Sequence, residues 1–203
     1  MNTLVTGGSG LVGSAIESKF KPGRARLDLM NIDDIIRYIS LNKIDSIIHC
    51  AARVGGIKEN KEKPADFFYE NSMMTMNLIE ASRVCNVKKI VCLLSTCIFP
   101  HEADYPLTIG QMHNGEPHPS NYGYGFAKRM TEINARAYRE QHEMNIVTVV
   151  PCNIYGPNDN FNMNSGHVIA GLIHKCYLAK QNNTNFEIWG TGKPKREFML
   201  SDD

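Results

Sequence analysis

The sequence predicts an α/β protein: a doubly wound parallel sheet with helices on both faces, followed by the start of a smaller region. Three observations carry this. Short, continuous apolar runs alternate with helical patterns, which is how parallel strands buried on both faces read. The first run ends in a glycine turn that opens a helix. After Pro151 the composition shifts to Asn, Gly and Pro.

Residues 2–6 read as a short buried strand, followed by Gly7-Gly8-Ser9-Gly10-Leu11-Val12-Gly13 and a helix from about Leu11 to Phe20. Pro22-Gly23 breaks that helix, and Arg24 to Leu29 reads as a weak, short strand. A helix over Ile32 to Leu41 has Asp33 and Asp34 in its first turn, where acids are favoured. Ile44 to Cys50 is a strand. A loop containing Gly55-Gly56 ends at Pro64, a good first helical residue, and a long helix runs to about Val84.

Lys88 to Leu94 is the next strand, and residues 95–121 form a long loop of the kind that usually carries function. A second long helix covers about Tyr122 to His142, and Ile146 to Val150 is a strand closed by Pro151. Beyond it we expect a helix over His167 to Lys180 and a short strand over Phe186 to Trp189. The chain thus divides into a dinucleotide-binding domain over 1–151 and a partial substrate-binding region over 152–203.

A formal net charge of +1 gives no global electrostatic case for nucleic acid or a membrane surface. No apolar run approaches the ~18 residues of a membrane span, and nothing near Met1 reads as a leader. Six cysteines lie at 50, 85, 92, 97, 152 and 176 without a C-x-x-C pair or a zinc spacing, so free thiols in a reducing cytoplasm are expected.

Gly7, Gly10 and Gly13 are spaced G-x-x-G-x-x-G between a strand and a helix. The first two allow a tight turn and close approach of a pyrophosphate; the third lets the helix pack on the strand. The phosphates sit at the helix N-terminus, where free N–H groups favour anions. This is the signature of a Rossmann-type fold. An acid about 20 residues on binds a ribose 2′-hydroxyl, and an arginine there accommodates a 2′-phosphate. Asp28 suits the first role, Arg24 and Arg26 the second, and the reading leans to NADP.

Tyr124 and Lys128 lie four apart at the head of a helix, so their side chains share one face. An ammonium close to a phenol favours the phenolate and lowers its pKa from about 10. Alone, the pair is a chance-prone spacing.

Several segments together make the chain recognisable. They are Ala51-Ala52-Arg53-Val54-Gly55-Gly56-Ile57, Ser95-Thr96-Cys97-Ile98-Phe99-Pro100, Tyr124 to Lys128, Asn153 to Phe161, Gly166 to Ile169, and Trp189 to Arg196. Over essentially its whole length the chain resembles the extended short-chain dehydrogenase/reductase family. Within it, the chain looks like the bifunctional 3,5-epimerase/4-reductases that act on GDP-4-keto-6-deoxy-D-mannose and yield GDP-L-fucose.

The resemblance implies a reductase triad of Ser95, Tyr124 and Lys128, and an epimerase pair of Cys97 and His167. Inverting C3 and C5 beside a C4 ketone needs an acid/base group on each face of the ring, and a thiol and an imidazole are reasonable partners. It implies NADP contacts from Gly7, Gly8, Ser9, Gly10, Leu11, Val12 and Gly13. Further cofactor contacts fall on Arg24, Asp28, Leu29, Ala51, Ala52, Tyr124, Lys128, Pro151, Asn153, Ile154 and His167. Asn153, Lys175, Trp189 and Arg196 would face the GDP-sugar, with Lys175 standing where the family has an arginine. Ser9 likewise replaces an arginine found in some members, and members continue well beyond residue 203.

A homodimer through the two long helices is expected, with Met73, Met74 and Met76 as candidates for the interface or the core. Two other readings are a nucleotide-sugar epimerase or dehydratase of the same fold, and a truncated, non-catalytic nucleotide-binding subunit. A dehydratase usually wants an acid near position 97, where this chain has Ser95-Thr96-Cys97.

Overall fold

Four strands form the central sheet of the computed structural model: β1 (Thr3–Thr6), β2 (Ser46–His49), β3 (Lys89–Leu93) and β4 (Ile146–Val149). They are parallel and lie in sequence order. The described residues are 1–163, 166–188, 190–193 and 195–203.

Each crossover carries a helix: α2 (Ile32–Asn42) between β1 and β2, α4 (Pro64–Val84) between β2 and β3, and α5 (Tyr122–His142) between β3 and β4. Asn31 starts α2 by accepting the Asp33 and Asp34 N–H groups, and Pro64 opens α4. The left-handed residues Lys43 and Glu143 end α2 and α5.

The sheet register explains the core. Leu4, Ile47, Ile90 and Ile146 pair in one row across all four strands. All four are buried with Ile35 and Ile39 of α2, Leu78 and Ile79 of α4, and Ala135 of α5. Each such Leu or Ile contributes about 1.5–3 kcal/mol relative to an exposed side chain. On β4 the alternating residues Val147 and Val149 stay 39% and 36% exposed. The expected covering of both faces is therefore incomplete at this edge of the described structure.

Three local expectations are corrected. The first helix, α1, is only Leu11–Ala15. Beyond it the Ser18 hydroxyl donates to the Thr3 carbonyl oxygen and accepts from Phe20 N–H, which draws the chain back to the sheet. The second strand is then not Arg24 to Leu29 but a single parallel bridge between Leu4 and Phe20. Residues 24–29 instead form a turn in which Arg26 and Leu27 N–H groups bond to the Gly23 carbonyl, while Leu27 and Leu29 are buried. Leu27 and Leu29 alternate with half-buried Asp28, the pattern of a strand, but they do so from a turn. The expected strand from Phe186 is absent over the described residues 186–188.

The sequence also hid some elements. A short helix α3 (Ile57–Glu62) sits in the Gly55-Gly56 loop, and two 3₁₀ turns, Thr96–Ile98 and Ile109–Gln111, lie within 95–121. After Pro151, β5 (Asn153–Tyr155) pairs in parallel with β6 (Phe198–Leu200), and α6 (Val168–Asn182) lies between them in sequence. Among the described residues no helix is long and apolar enough to cross a membrane.

Candidate active site

Because the four strands are parallel, the segments that follow them meet at one edge: Gly7 after β1, Cys50-Ala51 after β2, Ser95 after β3 and Pro151 after β4. Ligands of open α/β sheets bind outside the carboxyl ends of the strands.

The glycine turn is built for close approach. Gly7 has a positive φ of 69°, and a Cβ there would lie 2.7 Å from the Ala51 nitrogen. A Cβ on Gly13 would collide with the Gly7 carbonyl, so α1 can start this close to β1 only with glycine at that position. The Gly10 N–H closes the turn on the Gly7 oxygen at 3.0 Å. Gly10 is also the N-cap of α1 and brings no side-chain cap, so no side chain covers the helix N-terminus from that position. The turn is thus a bare backbone cradle that suits a pyrophosphate. Lys21 packs on Gly8, and its Nζ donates to the Ser14 carbonyl oxygen at 3.0 Å.

Beneath the turn, Thr6 Oγ1 accepts the Ala51 N–H and lies 2.8 Å from His49 Nδ1, while His49 Nε2 is 3.2 Å from Thr75 Oγ1. His49 thus bridges the Thr6 and Thr75 hydroxyls through its two ring nitrogens. Burial, aided by nearby Lys128, lowers the His49 pKa to about 3. The network ties β1, β2 and α4 together under the candidate cofactor site.

Ser95 caps the 3₁₀ turn by accepting the Cys97 N–H at 3.3 Å. The Ser95 hydroxyl and the Cys97 sulfur both lie close enough to Tyr124 to act on its titration. Asn121 Nδ2 donates to Cys97 Sγ at 3.1 Å. Lys128 is 4% exposed and donates to the Leu93 carbonyl at 2.8 Å; its Nζ is 5.8 Å from the Tyr124 ring centre. The structure therefore brings Ser95, Cys97, Tyr124 and Lys128 together around the start of α5.

The electrostatics differ from the simple pairing expected from spacing. Burial pushes the Tyr124 phenol up, Cys97 pushes it further, and the Ser95 hydrogen bond opposes them. Lys128 is turned to a carbonyl, and burial lowers it to about 8 against the opposing effect of Cys92 and Cys50. Without cofactor, Tyr124 is a protonated donor, suited to giving a proton to an oxyanion. Cys50 and Cys92 are pushed by burial to about 11 and about 12, which leaves them inert.

His167 is the N-cap of α6, and its Nδ1 lies 3.0 Å from Asp159 Oδ1. Its side chain is 49% exposed, whereas that of Asp159 is 2% exposed. The carboxylate fixes the Nδ1–H tautomer and leaves Nε2 as the working nitrogen. Among the described residues no hydrogen bond joins His167 to the Cys97–Tyr124 group.

Arg24 is exposed, and Asp28 engages its own turn by accepting the Met30 N–H. Asn153 Nδ2 donates to the Glu197 carbonyl; Pro151 and Ile154 are half-buried beside it in sequence. Arg196 is exposed and Lys175 half-buried, and Trp189 lies outside the described residues. The sequence reading missed the roles of Asn121 and Asp159, although both stand inside segments it had singled out.

The model of the NAD dependent epimerase/dehydratase family matches residues 3–203. The chain belongs to that family. Among curated relatives, the Dictyostelium discoideum GDP-L-fucose synthase is 45% identical over 211 residues, covering 98% of this chain. A probable GDP-L-fucose synthase of Drosophila melanogaster is 37% identical over 218 residues. The chain spans 66% and 68% of those two proteins. A crystal structure of a GDP-L-fucose synthetase from Naegleria fowleri bound to NADP superposes with a TM-score of 0.90 at 39% identity. It covers 98% of this chain, which covers 69% of it.

Proposed function

We propose that this chain carries the active site of an NADPH-dependent enzyme converting GDP-4-keto-6-deoxy-D-mannose to GDP-L-fucose. It epimerises C3 and C5 and then reduces the C4 ketone. The observation that carries the reading is the juxtaposition of Cys97 with Ser95 and Tyr124 at the start of α5. A reductase alone needs the Ser/Tyr/Lys group; a thiol beside it adds a carbon acid/base. The names of the relatives support the substrate, and the NADP of the Naegleria protein supports the cofactor.

The bare glycine cradle fits a dinucleotide, with Gly7 to Gly13 at the pyrophosphate, Ala51 and Ala52 beside it, and Arg24 toward the 2′-phosphate. NADPH, when bound, supplies the hydride for C4. Lys128 would hold the nicotinamide ribose. Ser95 and Tyr124 hydrogen-bond the developing C4 oxygen, and Tyr124 gives it a proton. Cys97 and His167 exchange protons at C3 and C5 from opposite faces of the ring, with Asp159 holding the imidazole. Lys175 and Arg196 meet the diphosphate, and Asn153 and Trp189 the rest of the GDP-sugar. Residues 1–151 are the dinucleotide-binding domain, and 152–203 the partial substrate-binding region.

The protein is a cytoplasmic homodimer in this reading. All six cysteines are free, which suits a reducing compartment. Tyr69, Met73 and Met76 form a stripe on α4, with Tyr69 and Met76 exposed. Tyr122, Phe126, Met130 and Ile133 form another on α5, with Tyr122 and Ile133 exposed. The first has the i, i+4, i+7 spacing and the second the i, i+4, i+8, i+11 spacing of one helix face. A monomer mass by light scattering at micromolar concentration would count against the dimer.

The catalytic reading is tested by mixing the protein with NADPH and GDP-4-keto-6-deoxy-D-mannose. Oxidation of NADPH with formation of GDP-L-fucose is expected. Tight NADPH binding without turnover would leave only a nucleotide-binding subunit.

A further inference from the structure

We infer that Asn121 is a positioning residue for Cys97, whose amide N–H holds the sulfur and stabilises negative charge on it. The inference rests on the reading of Cys97 as the acid/base of epimerisation.

Asn121 is the N-cap of α5. Asparagine is among the best N-cap residues because its side-chain oxygen accepts a free N–H of the first turn. Here it makes no such cap. The amide is turned the other way: Nδ2 donates to Cys97 Sγ at 3.1 Å, and Oδ1 is buried with no hydrogen-bond partner. A helix that forgoes its best cap for one bond to a thiol has its local stability subordinated to the site.

The surroundings fix the pair. The Cys97 carbonyl presses on α5 so closely that a Cβ on Gly125 would lie 2.7 Å from it. Arg129 Nε holds the same 3₁₀ turn by donating to the Ile98 carbonyl at 2.5 Å, and its NH1 donates to the Gly115 carbonyl at 2.7 Å. The sulfur is thereby held against the N-terminal turn of α5. There the uncapped N–H groups and the helix dipole favour negative charge, and the Asn121 amide adds a direct donor. When Cys97 takes a proton from carbon it must first be a thiolate, and this is the form the donor supports.

The test reads thiol chemistry rather than turnover. The intact protein is alkylated with iodoacetamide, and the Cys97 peptide is followed by mass spectrometry, with exposed Cys176 as the internal reference. Asn121→Ser keeps a good N-cap residue, so α5 still starts correctly, but its side chain is too short for the sulfur. In this variant the Cys97 to Cys176 rate ratio at pH 7 is expected to fall about tenfold, the scale of a hydrogen bond to a charged group. At a pH of about 10, above the ordinary thiol value of about 8.5, the ratio is expected to stay unchanged. Asn121→Asp, which removes the donor and adds negative charge, is expected to lower the pH 7 ratio further.

An unchanged or higher ratio at pH 7 in Asn121→Ser overturns the inference. So does an equal fall at both pH values, which marks a change of access alone. If Cys97 proves dispensable for epimerisation while the ratio still falls, the catalytic reading fails and the Asn121–Cys97 linkage stands.

Discussion

Lys128 Nζ donates to the Leu93 carbonyl oxygen across 2.8 Å, which places a lysine that is 4% exposed between the end of β3 and the start of α5. The bond ties α5 to the end of β3 and offsets part of the cost of burying an ammonium. The rest of that cost appears as its lowered pKa of about 8.

That value fixes a pH dependence. Below about 8 Lys128 is protonated in both the folded and unfolded chains, and its burial penalty is present in full. Between about 8 and the ordinary lysine value of about 10.4, the unfolded chain binds more protons than the native one, so this residue's contribution makes stability rise with pH. Cys50 and Cys92 act in the opposite sense above about pH 8.5, because burial keeps them protonated when the unfolded thiols ionise. Lys128→Met removes the compensating slope. Its urea midpoint is expected to fall more steeply than that of the wild type between pH 8 and about 10. Parallel curves would contradict the assignment.

His49 governs the acid side. Its folded pKa of about 3 lies below the ordinary value of about 6.5. Its contribution is fully present above about pH 6.5, and is lost as the pH falls toward 3 because the unfolded chain takes up the proton first. The slope from one such group approaches about 1.4 kcal/mol per pH unit. His49→Asn is expected to flatten the loss of stability between about pH 6.5 and 4, read by thermal unfolding. An unaltered slope would mean that other groups carry the acid transition.

The glycine cradle predicts a sharp positional contrast. Gly13→Ala places a methyl against the Gly7 carbonyl and 2.8 Å from its carbon, whereas a Cβ on Gly23 meets nothing within 4 Å. Gly13→Ala is expected to weaken NADPH binding at least about tenfold, since a displacement costing 1.4 kcal/mol suffices. Gly23→Ala is expected to leave it unchanged. A fluorescence titration of the two variants reads the difference.

Asp159 is the partner that orients His167. In Asp159→Asn the carboxylate no longer selects the Nδ1–H tautomer. Exchange of the substrate's C3 and C5 protons with solvent is then expected to slow by about 10²-fold or more, the scale of losing a positioned acid/base. NADPH affinity is expected to hold. Equal exchange rates in variant and wild type would assign the pair a purely structural role.

The parallel sheet was legible because its strands are short apolar runs separated by helical periods, and the row Leu4, Ile47, Ile90 and Ile146 bears this out. The long helices were legible from Pro64 and from the Tyr122–His142 periodicity. The second strand was not: Leu27 and Leu29 are buried from a turn, while the bridge to β1 is made by Phe20, inside what reads as a helix. Ser18 makes that difference through a bond to Thr3, a tertiary contact without a local signature. At the site, the spacing of Tyr124 and Lys128 located the pair but misjudged its electrostatics. Periodicity shows that two side chains share a face, not that one of them turns to a carbonyl at the end of β3. Asn121 and Asp159 escaped notice for a related reason, since what singles each out is its hydrogen-bond partner.

The most direct test of the central claim, that one cleft holds both the epimerising and the reducing groups, is solvent deuterium incorporation. Wild type and Cys97→Ser are each incubated with GDP-4-keto-6-deoxy-D-mannose and NADPH in deuterated water, and the sugar is examined by NMR. The wild type is expected to form GDP-L-fucose carrying deuterium at C3 and C5, while Cys97→Ser still oxidises NADPH slowly and yields an unepimerised sugar. Equal deuterium at both carbons in the variant, or no exchange and no oxidation by folded, NADPH-binding wild type, would contradict the account.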